Sequence, residues 1–407
     1  MSGAATPAAL AGVRVLDLSR VLAGPWAAQI LGDLGAEVIK VEQPGRGDDT
    51  RAWGPPFVPD GEAALTGYFV ACNRNKRTVA IDMAQPEGAA LIRRLVGECD
   101  IVIENFKTGG LAKYGLDYNS LRCVYPGLIY CSVTGFGQTG PYAARGGYDF
   151  LVQAMGGFMS LTGPADGGPT KVGLPITDVL TGLYAVIAIQ AALRHREATG
   201  QGQHIDCALL DTAVGVLANQ GLNYLLAGLV PRPMGNSHPN VVPYRPFDAA
   251  DGPVIVASGN DGQFRALCRV LGRDDLARDP AYADNAGRVT HRVALEAALA
   301  DEIARWPRDR LLAAMEAAGV PGGPINTVAQ AFADPHVQAR GMVERHQSPA
   351  GTDLPFLRFP PVLSATPAAI RSTPRPLGAD TAEVLRELAG LSAEEVAALD
   401  AAGIVAT

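Results

Sequence analysis

Five short apolar runs punctuate the first third of the chain. They are "VRVLDLS" (13–19), "AEVIKVE" (36–42), "RTVAIDM" (77–83), "DIVIENF" (100–106) and "GLIYCSVTG" (127–135). Each is rich in β-branched residues and runs into a polar or glycine-containing turn, which marks a strand. Helical periodicity fills several gaps between them, as in "QPEGAALIRRLVGEC" (85–99). Strands alternating with helices predict an α/β fold with a mostly parallel, Rossmann-like sheet. Ligands of such sheets bind beyond the carboxyl ends of the strands. The loops "LAGPW", "ENFKTGG" and "TGFGQTGPY", after the first, fourth and fifth strands, are therefore expected to face one crevice. No GxGxxG follows the first strand, so a dinucleotide fingerprint is lacking.

Two apolar helices are predicted next, over roughly 178–198 and 208–228. A proline-rich passage, "PRPMGNSHPNVVPYRP" (231–246), leads to a second module that opens on "GPVIVASG" and closes near "GVPGGPIN" (319–326). One more amphipathic helix is expected near 380–401. The pattern predicts a large Rossmann-like domain over 1–225, a small domain with its linker over 226–325, and a C-terminal segment, 326–407, returning to the large domain.

Composition narrows the function classes. A chain of 407 residues is long enough for two domains. A net charge of −7 argues against a nucleic-acid partner. An anionic ligand is still admissible, held by local lysines or helix N-termini. The six cysteines form no CxxC pair and read as reduced thiols of an intracellular, cytoplasmic protein, not a disulfide frame or zinc site. Histidine spacing suggests no metal. Residues 1–10 lack a basic and apolar leader pattern, so no secretory signal is expected. No uninterrupted apolar run approaches membrane-spanning length, so no membrane span is expected either.

One carboxylate stands out. In "LPITDVLTGL", Asp178 lies where a glycine-rich approach becomes an apolar helix. Aspartate is a favoured helix cap, worth about 1 kcal/mol. A carboxylate at the mouth of a crevice is also a candidate for covalent catalysis.

The motifs "GVRVLDLSRVLAGP", "LGAEVIKVEQPGRGDDTR", "NRNKRTVAIDM", "ENFKTGGLAKYGL", "TGFGQTGPY", "GYDFLVQAMGG" and "LPITDVLTGL" occur in this order. Together, from about Leu10 to Leu391, the chain resembles the class III (CaiB/BaiF-like) CoA-transferases, the family of formyl-CoA:oxalate and carnitine CoA-transferases. The resemblance implies a large Rossmann-like domain, a smaller α/β domain and an interlocked homodimer in which each chain threads its partner. It implies coenzyme A or acyl-CoA as substrate, with no tightly bound cofactor and no metal. It makes Asp178 the nucleophile, which forms an acyl–aspartyl anhydride and then an aspartyl-CoA thioester. Amide groups at the helix start are expected to favour ionisation of that carboxylate.

The same resemblance places Val21, Leu22 and Ala23 against CoA, with leucine where many relatives carry glutamine. Gln43 replaces an arginine near the nucleotide. Ile81, Asp82 and Met83 border the adenine, Asn105 and Phe106 contact CoA, and Lys113 meets phosphate. Arg74, Lys76 and Arg77 read as a solvated basic cluster and secondary phosphate candidates. Tyr148 and Asp149 match an aromatic–acid pair near the thioester, with a local helix cap as the plainer role for Asp149. Related acyl-CoA racemases carry a histidine at the position of Tyr148. Tyrosine, with a pKa near 10, is a poor proton shuttle at neutral pH. Racemisation is thus the second reading, and a non-catalytic CoA-binding protein the third. Asn236, Ser237 and His238 of "MGNSHPN" are candidates to close over the acyl group. Within the family, "GDDTRAWGPPF" and "TDVLTGLYA" look most like members acting on dicarboxylates, of the succinyl-CoA:glutarate type. A second carboxylate requires a cation, for which Arg46, Arg51, Arg145 and His238 are candidates.

Overall fold

The computed structural model describes residues 8–407, so residues 1–7 of the stretch read for a leader lie outside the described residues. The chain divides into two compact units. The first runs to Phe158, resumes over Val172–Leu222 and ends with Arg340–Thr407; the second takes Met159–Lys171 and Asn223–Ala339. A short piece of chain inside the expected large domain therefore belongs to the second unit.

The first unit is built on a seven-stranded sheet. Six strands are parallel: β1 (Arg14–Asp17), β2 (Glu37–Glu42), β3 (Lys76–Ile81), β4 (Ile101–Glu104), β5 (Ile129–Thr134) and β6 (His204–Ala208). Their spatial order is β3-β2-β1-β4-β5-β6. The sixth was not expected from the sequence. The strand Val405–Ala406 adds an antiparallel edge beside β3.

The continuous apolar runs are explained by burial on both faces, since successive side chains in a strand point to opposite sides. Val15, Val38, Ile101, Ile103, Ile129 and Cys131 enter one core with α1 (Ala23–Asp33). Leu16, Ile39, Val79, Val102 and Tyr130 enter the other, with α2 (Pro86–Gly97) and the C-terminal helices. Predicted helix 380–401 is two helices, Thr381–Glu387 and Ala393–Ala401. Gly390 turns left-handed and Ser392 starts the second with a capping box. Predicted helix 208–228 likewise breaks into Leu209–Gly215 and Ala218–Ala227.

α3 (Asp149–Met155) precedes α4 (Ile176–Thr199). Among the described residues, α4 alone is long and apolar enough to cross a membrane, by length and composition only. One side of it is core: Thr181, Gly182, Ala185, Ile189 and Ala192 are buried. Gly182 sets its closeness to α1, because a Cβ there would meet the Ala23 carbonyl oxygen at 2.8 Å. The second unit has its own core around Phe247, Val254, Phe264, Leu267 and Leu299, on an antiparallel three-stranded sheet.

The residues read as a solvated basic cluster are structural. Lys76 is fully buried, and its Nζ donates to Asp17 Oδ2 (2.9 Å), the Pro25 carbonyl (2.9 Å) and Asn73 Oδ1 (3.0 Å). Arg74 is a buried fork on Asp33 (2.9 and 2.6 Å). Arg77 pairs with Glu37 and Glu387. Removing one member of a buried ion pair leaves the other charge without compensation, at about 3–5 kcal/mol. Lys76→Met is therefore expected to lower unfolding free energy by about that much, read by urea denaturation. A loss under about 1 kcal/mol, the range of exposed pairs, would contradict this account.

Candidate active site

The strand order reverses direction between β1 and β4, with β2 and β3 on one side and β5 and β6 on the other. At that point the loops leaving the two strands diverge and open a crevice. The first unit has a cavity of about 870 Å³ there. Val21, Leu22 and Ala23 line it after β1, Gln43 after β2, and Ile81, Asp82 and Met83 after β3. Asn105, Phe106 and Lys113 line it after β4, and Tyr148 and Asp178 complete the set. Of the residues that the resemblance places directly against CoA or its thioester, Asp149 alone is absent from the lining.

The turn after β1 carries backbone strain. Val21 has φ +72°, a left-handed conformation that a β-branched residue adopts at a cost of about 1–3 kcal/mol. Five neighbouring side chains hold the turn. Asp17 accepts from the Ser19 N–H (3.0 Å) and hydroxyl. Lys40 Nζ donates to the Ser19 carbonyl (2.8 Å) and to Asp48 Oδ2 (2.9 Å). Asp48 Oδ1 accepts from Val21 N–H (3.3 Å). Asn105 accepts from the Arg20 N–H (2.9 Å) and donates to the Arg20 carbonyl (2.6 Å). The Cys72 thiol donates to the Val21 carbonyl (3.5 Å). Gly24 completes the motif, because a Cβ there would overlap Ser19 at 2.4 Å. Burial pushes the Asp48 carboxyl up, but Lys40 and the Thr50 donors more than reverse this and hold it at about 2.

Asp178 is not the helix cap. It is the third residue of α4, whose N-cap position is Pro175. The capping role falls to Asp149, whose Oδ1 accepts from the Thr177 N–H (2.8 Å) and hydroxyl (2.6 Å). Its Oδ2 accepts from Gln153 (2.7 Å). Asp178 itself is half-buried and sits one turn before Gly182, on the side of α4 that meets Ala23. Its carboxyl is pushed up to about 7, first by burial and then by the neighbouring Asp149 charge. The amide groups of the helix start do not overcome this, contrary to expectation. Tyr68, which the sequence did not single out, is pushed up to about 12 by burial, with Asp178 the first of its negative neighbours. It stays a protonated donor at neutral pH. Only its electrostatic neighbourhood marks it, which no local pattern reveals.

The structure also sorts the candidate cations. Arg51 is a bidentate partner of Glu42 (2.8 and 2.7 Å) stacked over Phe69. Arg46 pairs with Asp49 (2.7 Å). Asn236 and His238 lie in the second unit, where His238 Nδ1 accepts from the Asn240 N–H (3.1 Å) and its ring packs on Tyr244. Arg145 lines the cavity, propped over Tyr142 (4.6 Å) and Phe136 (5.3 Å), and makes no ion pair among the described residues. Arg74, Lys76 and Arg77 do not line it. No cluster of metal-ligating side chains occurs among the described residues.

A sequence profile described as CoA-transferase family III matches residues 10–381. The succinate–glutarate CoA-transferase of Agrobacterium fabrum is 54% identical over 381 residues, covering 93% of this chain and 95% of that protein. The succinyl-CoA:glutarate CoA-transferase of Homo sapiens is 40% identical over 400 residues, covering 97% and 90%. The crystal structure of a CAIB/BAIF family protein from Brucella suis superposes with a TM-score of 0.82 at 53% identity, covering 93% of this chain and 99% of that one. A crevice at the strand-order reversal, a carboxylate opening into it and a match along almost the whole chain converge on one conclusion: the protein belongs to CoA-transferase family III and is a CoA-transferase.

Proposed function

We propose that this enzyme moves CoA from succinyl-CoA to glutarate or a related short dicarboxylate, with Asp178 as the covalent nucleophile. The observation that carries the reading is Asp178 itself, a half-buried carboxylate opening onto the strand-end cavity with its pKa raised to about 7. The substrates are those in the names of the similar proteins from Agrobacterium fabrum and Homo sapiens. An Asp178 oxygen attacks the thioester carbonyl, the C–S bond breaks, and CoA thiolate departs from a succinyl–aspartyl anhydride. The thiolate then attacks the aspartyl carbonyl, releasing succinate and leaving an aspartyl-CoA thioester. A glutarate carboxylate attacks that thioester and expels the thiolate. Thiolate attack on the glutaryl carbonyl of the new anhydride releases glutaryl-CoA and restores Asp178. Each step exchanges one activated acyl bond for another, so no ATP enters. The resemblance puts a histidine in acyl-CoA racemases where this chain has Tyr148, so racemisation is the weaker reading.

The raised pKa serves this chemistry, because a more basic carboxylate is a stronger nucleophile. Ionised Asp178 is required for attack, so kcat/KM for acyl-CoA is expected to fall about tenfold per pH unit below about 7 and to level off above it. Asp178→Asn is expected to lower transfer by roughly four orders of magnitude or more. Hydroxylamine trapping should place the wild-type adduct on Asp178. The same variant has a stability signature. A carboxyl raised from 3.8 to about 7 keeps its proton in the folded protein after the unfolded chain has released it. Stability therefore falls as pH rises between about 4 and 7. Asp178→Asn should melt higher than wild type at pH 8 and close to it at pH 4. Transfer by a variant verified free of deamidation, or an adduct on Asp149, would refute the assignment.

For the second carboxylate of the acid we propose Arg145, the cavity-lining guanidinium left without an acidic partner among the described residues. Arg145→Met should raise KM for glutarate roughly 10- to 100-fold, the scale of a charge-assisted hydrogen bond. With acetyl-CoA as donor, KM for butyrate should stay unchanged. An equal loss with both acids would assign Arg145 to CoA instead.

We further propose an interlocked homodimer, as the family resemblance implies, in the reducing cytoplasm, where its six free cysteines would persist. Leu225, Leu226, Leu229 and Val230 leave 62–82% of their surface open, an apolar run that monomers rarely keep in water. Light scattering should give twice the chain mass down to nanomolar concentration. A folded monomer there would contradict the dimer.

A further inference from the structure

The turn after β1 is strained, and its backbone is held by side chains from other loops. Asp48 is almost fully buried. Its Oδ1 accepts from Val21 N–H, Thr50 N–H (2.9 Å) and the Thr50 hydroxyl (2.7 Å), and its Oδ2 takes the buried Lys40 ammonium. Asn105 uses both ends of its amide on the two backbone groups of Arg20. Asp48 and Asn105 come from separate loops, after β2 and β4, yet both converge on the backbone of residues 20 and 21. The next residues, Leu22 and Ala23, form the cavity wall and start α1 without a side-chain cap.

We propose that Asp48 and Asn105 are positioning residues. They lock the strained turn at Val21 into one conformation before CoA arrives, and act on CoA binding through the backbone of Arg20 and Val21. This rests on the reading of the cavity as the CoA site. Valine at this position is informative. Glycine would reach φ +72° without strain, but it would also populate many other conformations. A β-branched residue has few alternatives, so once clamped it leaves the turn rigid. Freezing such a turn in advance removes an entropic penalty that binding would otherwise carry. Asn105 thereby acquires a role different from a direct contact with CoA. The fully used hydrogen-bonding capacity of Asp48 also excludes it as an acid or base.

The test compares two substitutions at one position. Val21→Gly relieves the strain and loosens the turn, whereas Val21→Ala removes the same branched side chain but keeps a restricted backbone. Val21→Gly is expected to melt no lower than wild type. Its Kd for free CoA and its KM for succinyl-CoA should rise about tenfold, with kcat nearly unchanged. Amide exchange over residues 20–23 should accelerate. Val21→Ala should bind CoA within about threefold of wild type, well inside that tenfold step. Adding Asn105→Ala to Val21→Gly should cost little more than Val21→Gly alone, because both act through one turn. Equal weakening by Val21→Gly and Val21→Ala would overturn the proposal in favour of side-chain contact. Additive losses for Val21→Gly and Asn105→Ala would overturn it in favour of direct contact by Asn105. Failure of the wild-type protein to bind CoA by calorimetry would instead remove the cavity reading, and the inference with it.

Discussion

Two buried lysines hold the centre of this fold together. Lys76 and Lys40 have side chains with no exposure, and each meets an aspartate of equal burial, Asp17 and Asp48. Buried charges are tolerable only when paired and hydrogen-bonded. Here every ammonium also donates to a backbone carbonyl, of Pro25 or Ser19. The Ser19 carbonyl belongs to the β1–α1 connection and the Pro25 carbonyl to the first turn of α1. The pairs therefore tie strands β1, β2 and β3 to the loop that forms the cavity wall. Burial pushes Asp17 up, yet Lys76 and Lys40 bring its carboxyl below its ordinary value, so it remains an anion in the core. Swapping such pairs for apolar residues often stabilises a protein. Their use here follows from geometry, since a hydrocarbon could not direct the turn.

The site keeps two unfavourable features on that rigid base. Val21 is held left-handed, and Asp178 is held where its charge is disfavoured. Asp149 connects the second feature to the fold. It satisfies the start of α4 through Thr177, and in doing so it places its own charge near Asp178. One carboxylate thus supports the helix while raising the basicity of the other. Removing either strain would favour stability at the expense of binding or chemistry, as expected where function needs a destabilised site.

Much of this was legible in the linear chain. Two-faced burial shows as unbroken runs such as "VRVLDL" and "DIVIE", and alternation with helices implies a parallel sheet. The placement of the loops after β1, β4 and β5 at one crevice follows from that topology alone. The motif order identified the family, and Asp178 stood out at a loop-to-helix junction. What only the tertiary structure decided were the partners. "NRNKR" looks like a solvated cluster, because Asp17 lies 59 residues from Lys76 and Asp33 lies 41 from Arg74. The cap of α4 is Asp149, 28 residues upstream of Thr177, and not the local aspartate that propensity favours. Tyr68, the Arg145 guanidinium without an ion pair among the described residues, and the strain at Val21 likewise emerge only once distant segments meet. Periodicity records which way a side chain faces, because that is set by its own backbone. Which charge it meets there is set by residues far away in sequence, and only packing brings them together.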